Sequence, residues 1–131
     1  MTAKIIASST TTVTAGPTGA ARSSDGFLDI KLPQPHPAAE SLFGAAWSTC
    51  YLGALELAAG QRGLKLSGQS VDTQIALNHA GATTFFLSAN LNVSLPGLER
   101  DVAEALIEAA HAICPYSKAV HGNIDVVTTL A

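Results

Sequence analysis

The hydrophobic rhythm of the chain changes several times. Residues 3 to 15 alternate around Thr12, Val13 and Thr14 and are rich in β-branched types, which predicts a strand that "AGPTG" at 15–19 breaks. "RSSDGFLDIKL" predicts two short strands around a turn at Asp25-Gly26, making the N-terminal third a meander. Three prolines in "PQPHP" at 33–37 exclude a central strand, and Pro37 suits the first turn of a helix. A helix from 37 to 61 follows, ended by "GQRG". Residues 68 to 78 alternate again, "HAGA" supplies a turn, and "TTFFLSANLNVSL" forms the second strand of a hairpin that Pro96-Gly97 ends. In residues 98 to 113, Leu98, Val102, Leu106, Ala109 and Ile113 recur at spacings of four and three, with Glu99, Arg100, Asp101, Glu104 and Glu108 on the other faces. That pattern predicts an amphipathic helix lying on a sheet. Pro115 stops it, and "NIDVVTTL" closes the chain as a last strand.

The order is βββ-α-ββ-α-β, an α+β fold in a single domain over residues 1–131. The first helix stands apart because "AAWSTCYLGALELAAG" is apolar nearly all round. Such a helix must be covered on every side, and one six-stranded sheet with one amphipathic helix covers only part of it. A second copy of the chain is the simplest cover. A membrane span is disfavoured by Ser48, Thr49, Glu56, the glycines and the lack of a basic flank.

Composition narrows the chemistry. The charge of −3 and seven scattered Lys and Arg give no footprint for nucleic acid. The N-terminus lacks the apolar centre and cleavage site of a secretory signal, so the expected compartment is the cytoplasm. Two cysteines are too few for a disulfide scaffold. Histidines at 36, 79, 111 and 121 show no paired-ligand spacing, so neither metal nor cofactor is expected, and His111 reads as a solvated residue on a polar face. No G-x-S-x-G motif supports a serine hydrolase.

Cys50 and Cys114 remain. A cysteine inside an apolar helix is either inert packing or a nucleophile in a dry pocket. Cys114, in "AICPYSK", ends a helix where Pro115 turns the chain. If the two sulfurs meet, a sulfenic acid formed on one is resolved by the other as a disulfide, the minimal machinery for reducing a peroxide.

"ESLFGAAWSTCYLGALELAAGQRG", "NVSLPGL" and "HAICPYSKAVHGNIDV" resemble the corresponding segments of the Ohr/OsmC family, the organic hydroperoxide resistance proteins. The likeness covers nearly the whole chain, and the CPYS at Cys114 to Ser117 favours the Ohr branch. It implies an OsmC-like fold: an intertwined homodimer with two central helices packed between curved antiparallel sheets. It also implies a peroxidatic Cys50, a resolving Cys114, and reduction of alkyl or fatty-acid hydroperoxides to alcohols in the response to oxidative stress, with electrons from a dithiol such as dihydrolipoyl groups. Phe43, Trp47 and Tyr51 are the expected substrate pocket, where each buried methylene of an alkyl peroxide gains about 0.8 kcal/mol.

Glu40 matches the family's glutamate ten residues before the peroxidatic cysteine. Ten residues of helix rise about 15 Å, so either the helix starts later or Glu40 serves the partner's thiol. The family's turn arginine is replaced by Pro17. Arg22 is the nearest substitute cation, and His121 a weaker one. Three readings therefore stand: a thiol peroxidase, a relative with weak or redirected thiol chemistry such as a redox sensor, and a non-enzymatic dimer that binds a lipid-like ligand.

Overall fold

Strand pairing and packing divide the chain into two compact units, Met1–Ala39 and Glu40–Ala131. The computed structural model describes residues 2–32 and 38–131, so the expectations placed on "PQPHP", Pro37 and His36 lie outside the described residues.

The first unit is an antiparallel meander of β1 (Thr11–Thr14), β2 (Ala20–Ser23) and β3 (Asp29–Lys31). The strand predicted over 3–15 is shorter than its alternation suggested. Thr11 to Thr14 pair with Ser23 to Ala20, and alternation without a partner strand does not hold extended backbone in a sheet. The β1–β2 turn is tight. A Cβ at Gly19 would lie 2.6 Å from the carbonyl oxygens of both Thr14 and Leu32, so this position takes no side chain. The β2–β3 turn closes on Asp25, whose carboxylate accepts from Ser23 Oγ and the Phe27 N–H.

The second unit takes in α1 (Ala38–Gln61) from Glu40 onward and continues through β4 (Ser70–His79), β5 (Phe85–Ser94), α2 (Arg100–Ile113), α3 (Pro115–Val120) and β6 (Asp125–Leu130). α1 ends where Gly63 takes φ +67. The Leu64 N–H then bonds Ala59 O at 2.9 Å and the Gly63 N–H bonds Gly60 O at 3.1 Å, a Schellman ending. β4 and β5 form the predicted hairpin, in register from Ser70↔Ser94 to His79↔Phe85.

Several expectations are corrected here. The strands form two three-stranded sheets rather than one of six. The second sheet is not wholly antiparallel, because β6 runs parallel to β5, Ser88 opposite Asp125 through Val93 opposite Leu130. The chain reaches β6 through α2 and α3, and a helical crossover returns a strand in the parallel sense. α3 itself has no counterpart among the predicted elements. Pro115 ends α2 but occupies the first position of α3, where its missing N–H costs nothing.

The core of the second unit packs Trp47, Tyr51 and Leu55 of α1 with Leu91 and Val93 of β5, Leu106 of α2, and Cys114. α2 turns Ala103, Leu106, Ile107 and Ala110 inward, slightly rotated from the predicted stripe, with Val102, Ala109 and Ile113 at its margins. α1 buries one face, Gly44, Trp47, Tyr51, Ala54, Leu55, Ala58 and Ala59, while Ala45, Ala46, Thr49, Gly53 and Leu57 are exposed. Among the described residues no helix is long and apolar enough to cross a membrane.

Candidate active site

The two sulfurs come from elements far apart in sequence. Cys50 follows Trp47 by one helical turn and precedes Tyr51, so it lies at the edge of the buried face of α1 and is half-buried. Cys114 leaves the helical conformation at φ −64, ψ 117, because a residue before proline avoids it. Its N–H still bonds Ala110 O at 2.8 Å, closing α2, and its carbonyl accepts from Lys118 N–H at 3.0 Å, opening α3. Its side chain caps α3, with Sγ accepting from the Ser117 N–H at 3.5 Å. Cys114 is fully buried.

Both cysteines are free thiols, and Cys50 packs against the buried cluster that includes Cys114, near enough for Cys114 to bear on its ionisation. Burial pushes the Cys50 thiol above its ordinary range, and the neighbouring Cys114 pushes it further, by hydrogen bond and by charge; the Tyr116 backbone N–H acts the other way. Thiolate at Cys50 is therefore disfavoured at neutral pH in this environment.

A buried polar chain runs alongside. Trp47 Nε1–H donates to Ser117 Oγ at 3.0 Å, Ser117 Oγ meets His111 Nδ1 at 2.8 Å, and His111 Nε2 meets Thr128 Oγ1 at 2.9 Å. The indole only donates, so Ser117 Oγ is an acceptor there and its own hydrogen is available to His111 Nδ1. That assignment places the imidazole proton on Nε2, donating to Thr128. Burial lowers the His111 pKa, in keeping with a neutral ring. Tyr51 stacks at a tilt on this ring at 4.6 Å and donates its hydroxyl to Ile107 O at 3.0 Å; burial, with the charge of Cys114, pushes its pKa upward. The solvated reading of His111 is thus corrected: the ring is half-buried, with both nitrogens bonded. Neither His111 nor Ser117 stands out as a site residue in the sequence. The available signal is a histidine and a serine placed three residues on either side of Cys114.

The remaining predicted residues are distributed as follows. Trp47 and Tyr51 are 0% exposed, and Phe43 is half-buried with its ring edge-to-face to Trp47 at 6.0 Å. Trp47 does face a cavity of about 610 Å³, together with His111, Ser117, Lys118, His121 and Val126, while Tyr51 belongs to the core around His111. Glu40 and Cys50 lie on one unbroken helix, so their separation along the axis is about 15 Å, and a later helix start does not bring them together. Arg22 sits in β2 with its side chain 66% exposed, paired to Asp29 at 3.0 Å. Pro17 lies in the β1–β2 turn. Among the described residues no cluster of three or more His, Cys, Asp or Glu is arranged to hold a metal.

Comparison with known proteins places this arrangement. A family profile described as OsmC-like protein matches residues 32–129. The chain is 36% identical over 138 aligned positions to an organic hydroperoxide resistance protein of Xanthomonas axonopodis pv. citri, covering 98% of this chain and 96% of that one. Among solved structures, OhrB of Bacillus subtilis matches with a TM-score of 0.85 at 32% identity, over 97% of this chain and all of that one. An organic hydroperoxide resistance protein of Elizabethkingia anophelis, solved with thiocyanate bound, matches with a TM-score of 0.88 at 30% identity, over 98% and 99% of the two chains. A mixed α+β fold with two cysteines in one core region, matched along nearly its whole length by these proteins, is accounted for in one way: the chain belongs to the OsmC-like family, within its organic hydroperoxide resistance branch.

Proposed function

We propose that the protein is a cysteine-based peroxidase that reduces alkyl or fatty-acid hydroperoxides to alcohols. The observation that carries this reading is the packing of a half-buried thiol, Cys50, against the cluster that holds a fully buried one, Cys114. Access assigns the roles, since the oxidant must reach the first sulfur and need not reach the second. The Cys50 thiolate attacks the distal peroxide oxygen, the O–O bond breaks, and the alkoxide takes up a proton and leaves as alcohol. Cys50 is then a sulfenic acid. The Cys114 sulfur attacks it, a disulfide forms and water departs. A dithiol, for which dihydrolipoyl groups are the proposed source, reopens the disulfide by exchange and is itself oxidised. Names of relatives that refer to organic hydroperoxide resistance support the substrate class.

The protein acts as a homodimer in this reading, with the exposed face of α1 covered by a second copy. Glu40 then serves the thiol of the partner, which suits its distance from the Cys50 of its own chain. A second reading has a specific observation in its favour. The raised Cys50 pKa, with Pro17 where the family's arginine is expected, fits a relative with slow or redirected thiol chemistry.

Stopped-flow oxidation of the reduced protein, followed through Trp47 fluorescence, decides between the two. The peroxidase reading expects fast single-turnover reaction with an alkyl hydroperoxide and slow reaction with hydrogen peroxide. Cys50→Ser abolishes the reaction, whereas Cys114→Ser allows one turnover and no recycling. A wild-type rate no greater than that of a free thiol in solution would leave only the second reading.

A further inference from the structure

Ser117 occupies an unusual position for so short a side chain. Its backbone N–H donates to Cys114 Sγ, its Oγ accepts from Trp47 Nε1 and bonds His111 Nδ1, and His111 in turn reaches Thr128. One hydroxyl thus ties the first turn of α3 to α1, to α2 and, through the imidazole, to β6. The residue before it, Tyr116, lies near Cys50, where its backbone N–H favours the thiolate. The same turn of chain therefore bonds one sulfur and borders the other, and the Ser117 hydroxyl anchors that turn. Trp47 is fully buried and Ser117 nearly so, which makes the loss of their hydrogen bond costly.

We propose that Ser117, held by Trp47 and His111, is a positioning residue for disulfide formation: it fixes the Cys114 sulfur in line with Cys50. This rests on the thiol cycle proposed above. Without the hydroxyl, the indole N–H and the imidazole are left seeking partners, α3 shifts to satisfy them, and the Cys114 sulfur moves with its cap. Attack on the Cys50 sulfenic acid depends on that geometry, whereas the first reaction, between Cys50 and a peroxide from solvent, does not. A displacement near 1 Å costs up to about 10²-fold in an oriented reaction.

The test separates the two steps. Reduced protein is mixed with tert-butyl hydroperoxide and quenched at intervals, the sulfenic acid is trapped with a dimedone-type reagent, and the disulfide is quantified by mass spectrometry. In Ser117→Ala the oxidation of Cys50 stays within about twofold of wild type while disulfide formation slows at least about tenfold. Ser117→Thr, which keeps the hydroxyl, restores it. Should Ser117→Ala fail to fold, Thr128→Val removes the far end of the chain of bonds, and the same selective slowing is expected, smaller than at Ser117. Wild-type condensation rates in these variants, or an equal fall in both steps, would overturn the assignment while leaving the thiol cycle standing. If wild-type protein forms no Cys50 sulfenic acid, the cycle itself falls and this inference with it.

Discussion

At the α2–α3 junction, Cys114 is fully buried, accepts a backbone N–H and is followed by a serine that links three helices. In the middle of α1, Cys50 lies between a buried face and an exposed one, with Thr49 and Gly53 open beside it. The two thiols are neighbours in one core region, yet the surroundings of one are determined by the chain itself and those of the other are half unbuilt. The junction is a finished packing problem. The flank of α1 is one that this chain alone leaves open, and in the proposed cycle it is the side on which reactivity would depend, since there the thiol that would ionise has its pKa raised.

The largest test of that contrast is pH. With the Cys50 thiol raised by burial and by Cys114, its thiolate fraction, and with it the rate of oxidation by an alkyl hydroperoxide, rises about tenfold per pH unit below the thiol pKa. The expected profile keeps climbing up to about pH 9 when measured by stopped flow. A plateau reached near pH 6 would mean that a cation from outside this environment completes the flank.

A smaller effect probes the same flank by mass. Gly53 has no atom within 4 Å of where its Cβ would stand. In the monomer, Gly53→Leu adds a side chain to open space and leaves the fold intact. In the proposed dimer it lies on the face that the second copy covers, and the added bulk raises the dimer dissociation constant by at least about tenfold, the scale on which a single well-packed interface residue acts. Sedimentation velocity over a concentration series reads the shift.

The smallest expected effect belongs to the junction. His111 has its pKa lowered by burial, so the unfolded chain binds a proton more readily than the folded one. Its contribution to stability is complete above the ordinary histidine value near 6.5 and is lost as pH falls through the lower folded value. Urea midpoints followed downward from neutral pH are expected to fall in wild type, and to fall less steeply in His111→Gln.

Much of this arrangement is legible in the sequence, and for local reasons. α1 and the β4–β5 hairpin follow from apolar spacing and turn chemistry over a few residues, and Cys114 at a helix end follows from Pro115. What stays hidden is non-local or ambivalent. The parallel pairing of β6 with β5 depends on a crossover through α2 and α3, which alternation within "NIDVVTTL" does not encode. Pro115 both stops one helix and starts another, and the pattern around it signals only the stop. His111 shares a helix with Glu104 and Glu108, and a pattern of polar faces does not reveal that β6 and α3 close over one edge of that helix. Aromatics beside a thiol suit an apolar substrate, which is why Trp47 and Tyr51 read as pocket residues. Tyr51 instead gives its ring to His111 and its hydroxyl to Ile107, and Trp47 gives its N–H to Ser117.

The pairing proposed for Cys50 and Cys114 also has a mechanical side. Their disulfide would close a covalent loop of about 65 residues that contains the β4–β5 hairpin and all of α2, and closing a loop of that length in the unfolded chain is worth about 4 kcal/mol in the chain-entropy account. Each catalytic turnover would then fasten and unfasten a staple across most of the second unit. The oxidised protein is expected to melt well above the reduced one by calorimetry, which would make thermal stability a direct report of how far the thiol cycle has run.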